Sequence, residues 1–266
     1  MNPHPTLRQH RGFAARSIRS IRSVAASERT NAADTLLGMA LTFIAGAINA
    51  GGFLAVGQYT SHMSGILSAM ADNLALGALG TVLLGLAAFL PFMLGAGCSA
   101  ILINWGRRQR LGSLYAMPLM LEAALLFGFG ILGWLAYPSP GFVVAAVPLL
   151  CFIMGLQNAT VTKISGARMR TTHVTGIVTD IGIELGKLVY WNRDRSLAEI
   201  VRADRGKLRL LVLLLGSFFV GGVTGAIGFS QIGLLFSLPF AALLLFLAGP
   251  PLLEDVFIHA RRVRQG

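Results

Sequence analysis

Residues 61–68 read Ser-His-Met-Ser-Gly-Ile-Leu-Ser, and residues 172–179 read Thr-His-Val-Thr-Gly-Ile-Val-Thr. All eight positions are identical or closely similar. Upstream, Gly46-Ala47-Ile48-Asn49-Ala50 pairs with Gly155-Leu156-Gln157-Asn158-Ala159. The offset is 109 residues upstream and 111 downstream, so the second copy carries two extra residues in its link. The chain is an internal duplication.

The surroundings of both copies are apolar. Of 266 residues, 55% are hydrophobic and 12% charged. That charged share is about half that of a soluble domain. Too little charge is present to cover a soluble surface, and too much apolar surface for a disordered chain. A polytopic membrane protein remains. The net charge is +11, from 22 Lys+Arg against 11 Asp+Glu. The basic residues fall in blocks between apolar runs. This reads as loops held on the cytoplasmic side, not as a nucleic-acid surface. Cys98 and Cys151 lie inside apolar runs and read as small packing residues.

Residues 1–34 form a separate zone. Arg8, Arg11, Arg16, Arg19, Arg22 and Arg29 stand against Glu28 and Asp34, with Ile18, Ile21 and Val24 at helical spacing. Such a composition also suits a mitochondrial transit peptide. The reading taken is a basic cytoplasmic arm lying on anionic lipid headgroups. Six long apolar runs follow, at about 35–56, 79–104, 114–136, 142–162, 208–229 and 231–249. Each nears or exceeds the ~20 residues that a helix needs to cross ~30 Å of hydrocarbon. Pro91, Pro118, Pro148 and Pro239 lie in or near these runs and predict kinks. Gly221 and Gly225 have the small-xxx-small spacing of close helix packing.

Two stretches do not fit a full span. Residues 65–76 are too few, and 174–190 carry Asp180, Glu184 and Lys187. The basic blocks are the arm, Arg107-Arg108-Arg110, Lys163-Arg168-Arg170, Lys187 through Arg209, and Arg261-Arg262-Arg264. If all of them are inside, 65–76 must start and end outside, and 174–190 must start and end inside. The expected fold is an all-α polytopic membrane protein with six transmembrane helices and two short re-entrant helices. Repeat 1 covers 35–137, repeat 2 covers 138–250, and 251–266 is a basic cytoplasmic tail. Three crossings per repeat is odd, so the second repeat enters from the opposite face. That is an inverted-topology repeat, as in several secondary transporter folds.

The duplicated motif has a chemical reading. Ser64 and Thr175 are good N-cap types, followed by Gly65 and Gly176. His62 and His173 precede them in what should be unwound backbone, which survives in a bilayer only where protein buries it or water lines it. A half-helix start there aims free N–H groups and a positive dipole end into the interior. With the amides of Asn49 and Asn158, these groups suit a small anion or polar solute. The bland alternative is that they only hydrogen-bond one another as glue between helices. No acidic or Cys ligand stands at short fixed spacing to either histidine, so no metal site is expected. Glu122, Asp180 and Glu184 are candidates for proton coupling, because an intramembrane acid is expensive. Asp72 and Lys187 read as parts of half-solvated helix faces. No nucleophile–base set or cofactor motif is present, so no enzyme and no cofactor are expected.

At these residues the chain resembles the YoaK-like bacterial membrane proteins, a family of unknown function. The resemblance rests on Asn158-Ala159-Thr160, Thr171-Thr172-His173-Val174-Thr175-Gly176 and Thr179-Asp180-Ile181-Gly182-Ile183-Glu184-Leu185-Gly186. Met63-Ser64-Gly65 resembles that family's Met-Thr-Gly element, with Ser for Thr. It covers roughly residues 35–250 and implies a bacterial inner-membrane location, without a substrate. The functional expectation is a small transporter or channel-like protein for a small anionic or polar solute. The alternative is a non-transporting assembly or sensory partner. Membrane lipids and a small solute are the expected partners, nucleic acid is not, and a homo-oligomer is compatible. The charge pattern puts 1–34, 105–113, 191–207 and 254–266 in the cytoplasm. Single cysteines at 105–113 should resist membrane-impermeant thiol labelling from the periplasm; strong labelling there defeats the re-entrant reading of 65–76.

Overall fold

A computed structural model describes residues 31–166, 169–191 and 201–265. The basic arm over 1–30 and the centre of the 191–207 link lie outside the described residues. Eight α-helices follow in order: α1 (Asn31–Val56), α2 (Met63–Ala75), α3 (Leu79–Arg108), α4 (Ala116–Ala136), α5 (Pro140–Ile164), α6 (Val174–Val189), α7 (Arg205–Ile232) and α8 (Leu238–Gln265). A 3-10 turn, Gly233–Ser237, joins the last two, and no strand occurs among the described residues. Five helical stretches are long and apolar enough to cross a membrane: Asp34–Val56, Leu79–Arg108, Ala116–Ala136, Pro140–Ile164 and Arg205–Leu253. The fifth holds α7, the turn and much of α8. The short helices α2 and α6 have 13 and 16 residues. At 1.5 Å per residue they reach about 20 and 24 Å, less than the hydrocarbon core.

Local signals explain the boundaries. Ser139 caps α5 by accepting the Phe142 N–H, and Pro140 opens that helix, where its missing N–H is harmless. Asp204 caps α7 by accepting the Lys207 N–H. Just past the ends of α1 and α5, Gly57 and Gly166 take positive φ of 70° and 57°, which stops a helix without Cβ strain. These glycines also stand 109 apart. Pro91 and Pro148 lie inside α3 and α5, whereas Pro118 and Pro239 lie within the first turns of α4 and α8.

Two close crossings organise the packing. A Cβ on Gly46 would overlap the Phe218 carbonyl, and one on Gly221 the Phe43 carbonyl, where α1 meets α7. A Cβ on Gly95 would overlap the Phe152 carbonyl, and one on Gly155 the Phe92 carbonyl, where α3 meets α5. Without Cβ atoms the backbones come into direct contact, the packing device of membrane helices. Gly221 and Gly225 are used here, as their spacing suggested; Gly225 packs on Ala47. Phe43 and Gly46 precede Phe152 and Gly155 by 109 residues, and Phe92 and Gly95 precede Phe218 and Gly221 by 126. One crossing is thus the other with its halves exchanged.

The contact registers give the helix directions. Gly38 meets Leu214, Gly46 meets Phe218 and Gly51 meets Phe229, so α1 and α7 run parallel. Gly95 meets Phe152 and Ser99 bonds Thr160 at 2.8 Å, so α3 and α5 run parallel. Ser113 bonds Asp255 and Gly130 meets Leu238, so α4 and α8 run antiparallel. Leu37, Leu41, Ile44, Leu126, Phe129, Leu150 and Met154 fill the core between them. Leu84, Leu94, Leu132 and Phe219 lie on the outer face, half or more exposed, as a lipid-facing surface requires.

A large side chain at Gly95 must separate α3 from α5. Gly95→Leu should destabilise the fold by about 1–3 kcal/mol, whereas Gly97→Leu on the same helix, where nothing lies within 4 Å, should not. Thermal unfolding of both variants in detergent checks the contrast.

Candidate functional site

The loops that lead into α2 and α6 are tied back to the long helices by equivalent bonds. Ser61 Oγ donates to Asn49 Oδ1 at 3.0 Å. In the second half, Thr172 Oγ1 meets Asn158 Oδ1 at 3.0 Å, and Thr171 Oγ1 donates to the same oxygen at 3.1 Å. Asn158 Nδ2 also donates to the Met154 carbonyl at 2.8 Å. Each asparagine therefore holds the unwound segment that the sequence places beside it. This is a positioning role in addition to lining the cavity.

The N-caps of the short helices lie two residues earlier than their sequence suggests. The N-cap residues are His62 and His173, with φ/ψ of −89°/64° and −83°/56°. Ser64 and Thr175 are not caps; they are the second residues of α2 and α6. Neither histidine makes a side-chain cap bond. The first N–H groups of both helices thus lack an intrahelical partner and a side-chain cap. The glycines have a specific use. A Cβ on Gly65 would overlap the His62 ring, and one on Gly176 the His173 ring. Each imidazole lies over the first turn of its own helix, in space that only glycine leaves open.

Both short-helix starts open on one cavity of about 890 Å³. Asn49, His62, Ser64, Asn158, His173 and Thr175 all line it. Gly65 and Gly176 do not; they support the two histidines. Sequence reasoning missed Tyr59, Ser61, Thr162, Arg170 and Thr172 in the lining. Ser61 and Thr172 were inside the matched motif. Tyr59 and Arg170 share its 111 offset but not its chemistry, so the match stopped short of them. Among the described residues, no Asp or Glu lines the cavity.

The three acids lie elsewhere. Glu122 is completely buried on α4, facing the interior as its cost in lipid demands. Its partner is Gln157 on α5, whose Nε2 donates to Oε1 at 2.8 Å. Glu122 Oε2 and Gln157 Oε1 are both buried and have no partner among the described residues. Two acceptors left over on two side chains already bonded to each other fit a carboxylic acid facing an amide. An Oε2–H donor would complete the pair. Glu184, 1% exposed, bonds Lys187 Nζ at 2.9 Å and accepts the Asp204 N–H at 2.8 Å. Lys207 reaches Asp180 at 3.4 Å and Glu184 at 4.0 Å. These charges tie α6 to the start of α7, away from the cavity lining.

Helices without strands and five membrane-length apolar stretches among the described residues define a multi-pass membrane protein. Residues 37–249 match the family described as protein of unknown function, DUF1275, and the chain belongs to that family. The YoaK-like resemblance is consistent with it. No curated protein and no solved structure matches the chain.

The two tethers differ in size. Asn158→Ala removes several bonds and leaves two hydroxyls without their acceptor, so it should cost about 1–3 kcal/mol, against about 1 kcal/mol for Asn49→Ala. Thermal midpoints of the two variants in the same detergent test the order.

Proposed function

We propose that the protein carries a small anionic or polar solute across the bacterial inner membrane, with both termini in the cytoplasm, and is not an enzyme. The observation that carries this reading is the shared cavity. Two half-length helices from the two repeats start at its wall, each with a histidine, a hydroxyl and unspent N–H groups. In a bilayer, broken backbone of this kind needs a wet or protein-lined space. A solute that accepts hydrogen bonds can use the same donors.

Six spans and two inverted repeats fit the helix directions. If α2 and α6 each reversed the chain as full crossings, α4 and α8 would run parallel. They run antiparallel, while α1 and α7 run parallel. Short helices that each enter and leave on one side fit these directions. The exchanged crossings at Gly46/Gly221 and Gly95/Gly155 support the same relation between halves.

Glu122 is the proton carrier in this reading. Its carboxyl meets Gln157, the residue before Asn158 of the cavity wall, so a change in its protonation alters how α4 holds α5 beside the site. Asp180 and Glu184 already face lysines, and their role is to anchor α6. The test is uptake of labelled phosphate, sulfate, acetate and glycerol into proteoliposomes under a pH gradient. At least one solute should enter above empty liposomes. His173→Ala should cut that flux about tenfold or more, as expected where a polar partner of the solute is lost. Glu122→Gln should leave the fold intact and abolish the pH dependence. Folded protein that moves none of the panel defeats transport, and a pH dependence unchanged in Glu122→Gln defeats the proton role.

A further inference from the structure

The duplication makes one departure from symmetry conspicuous. Immediately before Thr60 and Thr171, the first half has Tyr59 and the second has Arg170. Both line the shared cavity. Tyr59 stacks on Phe53, with ring centroids 4.7 Å apart. Arg170 is exposed, and no carboxylate among the described residues lies within salt-bridge reach of it. Among the described residues it is the one Lys or Arg in the lining.

The charge balance of the cavity is therefore one-sided. A guanidinium, two helix N-termini and two imidazoles face a wall that holds no acidic residue among the described ones. Helix N-termini favour negative charge, and a guanidinium matches the planar oxygens of an oxyanion with two parallel bonds. A cation would find no carboxylate to balance its charge among the described residues of that wall. We infer that the cavity selects small anions with an oxyanion group, and that Arg170 is the residue that reads the charge, holding it on the α6 side. The α2 side offers Tyr59 instead, a surface for the uncharged part of the solute.

This inference rests on the cavity being the solute site, and the experiment separates the two. Full-length protein lacking Cys98 and Cys151 receives a single cysteine at Ser64 on α2 or Thr175 on α6. Each is reacted with a sulfonate-bearing and with a quaternary-ammonium methanethiosulfonate of similar size, and rates are divided by those of a free thiol. A cleft lined by one sign of charge concentrates the opposite ion by about tenfold or more. The anionic reagent should be favoured about tenfold, more strongly at Thr175→Cys than at Ser64→Cys. Arg170→Gln should remove most of that preference at Thr175→Cys, and Arg170→Lys should keep it. A preference for the ammonium reagent, or one that Arg170→Gln leaves unchanged, overturns the anion inference while the water-filled cavity stands. No reaction at either cysteine with either reagent overturns the cavity reading itself, and this inference with it.

Discussion

The Phe43 carbonyl oxygen sits where a side chain at position 221 would be, and the Phe92 carbonyl where one at 155 would be. Lipid tails are as apolar as leucine, so burial alone does little to hold membrane helices together. Close backbone contact and its dispersion energy must do so. Glycine permits that contact, and the four glycines at the two crossings set the spacing of α1, α3, α5 and α7. These long helices frame the room in which α2 and α6 can stop halfway. Any Cβ at the crossings would spread the frame, and the cavity wall would change shape.

Symmetry of backbone goes with asymmetry of chemistry. The turn glycines, crossing glycines, asparagine tethers and histidine starts all occur twice. Around this shared frame the halves diverge. Positions 73 and 76 are Asn and Leu, where the second half has Glu184 and Lys187 in an ion cluster. α2 is held instead by apolar contacts, with Ile66 beside Ala88 and Met70 against Gly85. Gln157, which faces Glu122, has Ile48 as its counterpart. The two copies therefore share a backbone frame but not a charge pattern.

Much of this was readable in one dimension. Apolar runs of membrane length locate the long helices, because hydrocarbon thickness imposes the length. The offset of 109 residues pairs Gly46 with Gly155 and Asn49 with Asn158, and those residues do play paired roles. The shortness of α2 was legible for the same reason. The N-caps were misassigned by two residues, because Ser and Thr are the usual capping types and a histidine in that place carries no such signal. Glu122 was expected inside, but its partner was not foreseeable. Gln157 lies 35 residues away on another helix, and an amide gives no periodic signal.

The sequence alone determined the class, the duplication, and the residues of the repeated motif. Each of these depends on composition or on spacing along one strand of chain. Only the tertiary structure decided that the two histidine-bearing starts share one cavity, and that Arg170 and Tyr59 occupy equivalent places in its wall. It also decided that Asp180 and Glu184 meet lysines on α6 and α7 and do not line that cavity. Which charges meet depends on how helices far apart in sequence cross, and the crossings depend on where a missing Cβ lets two backbones touch.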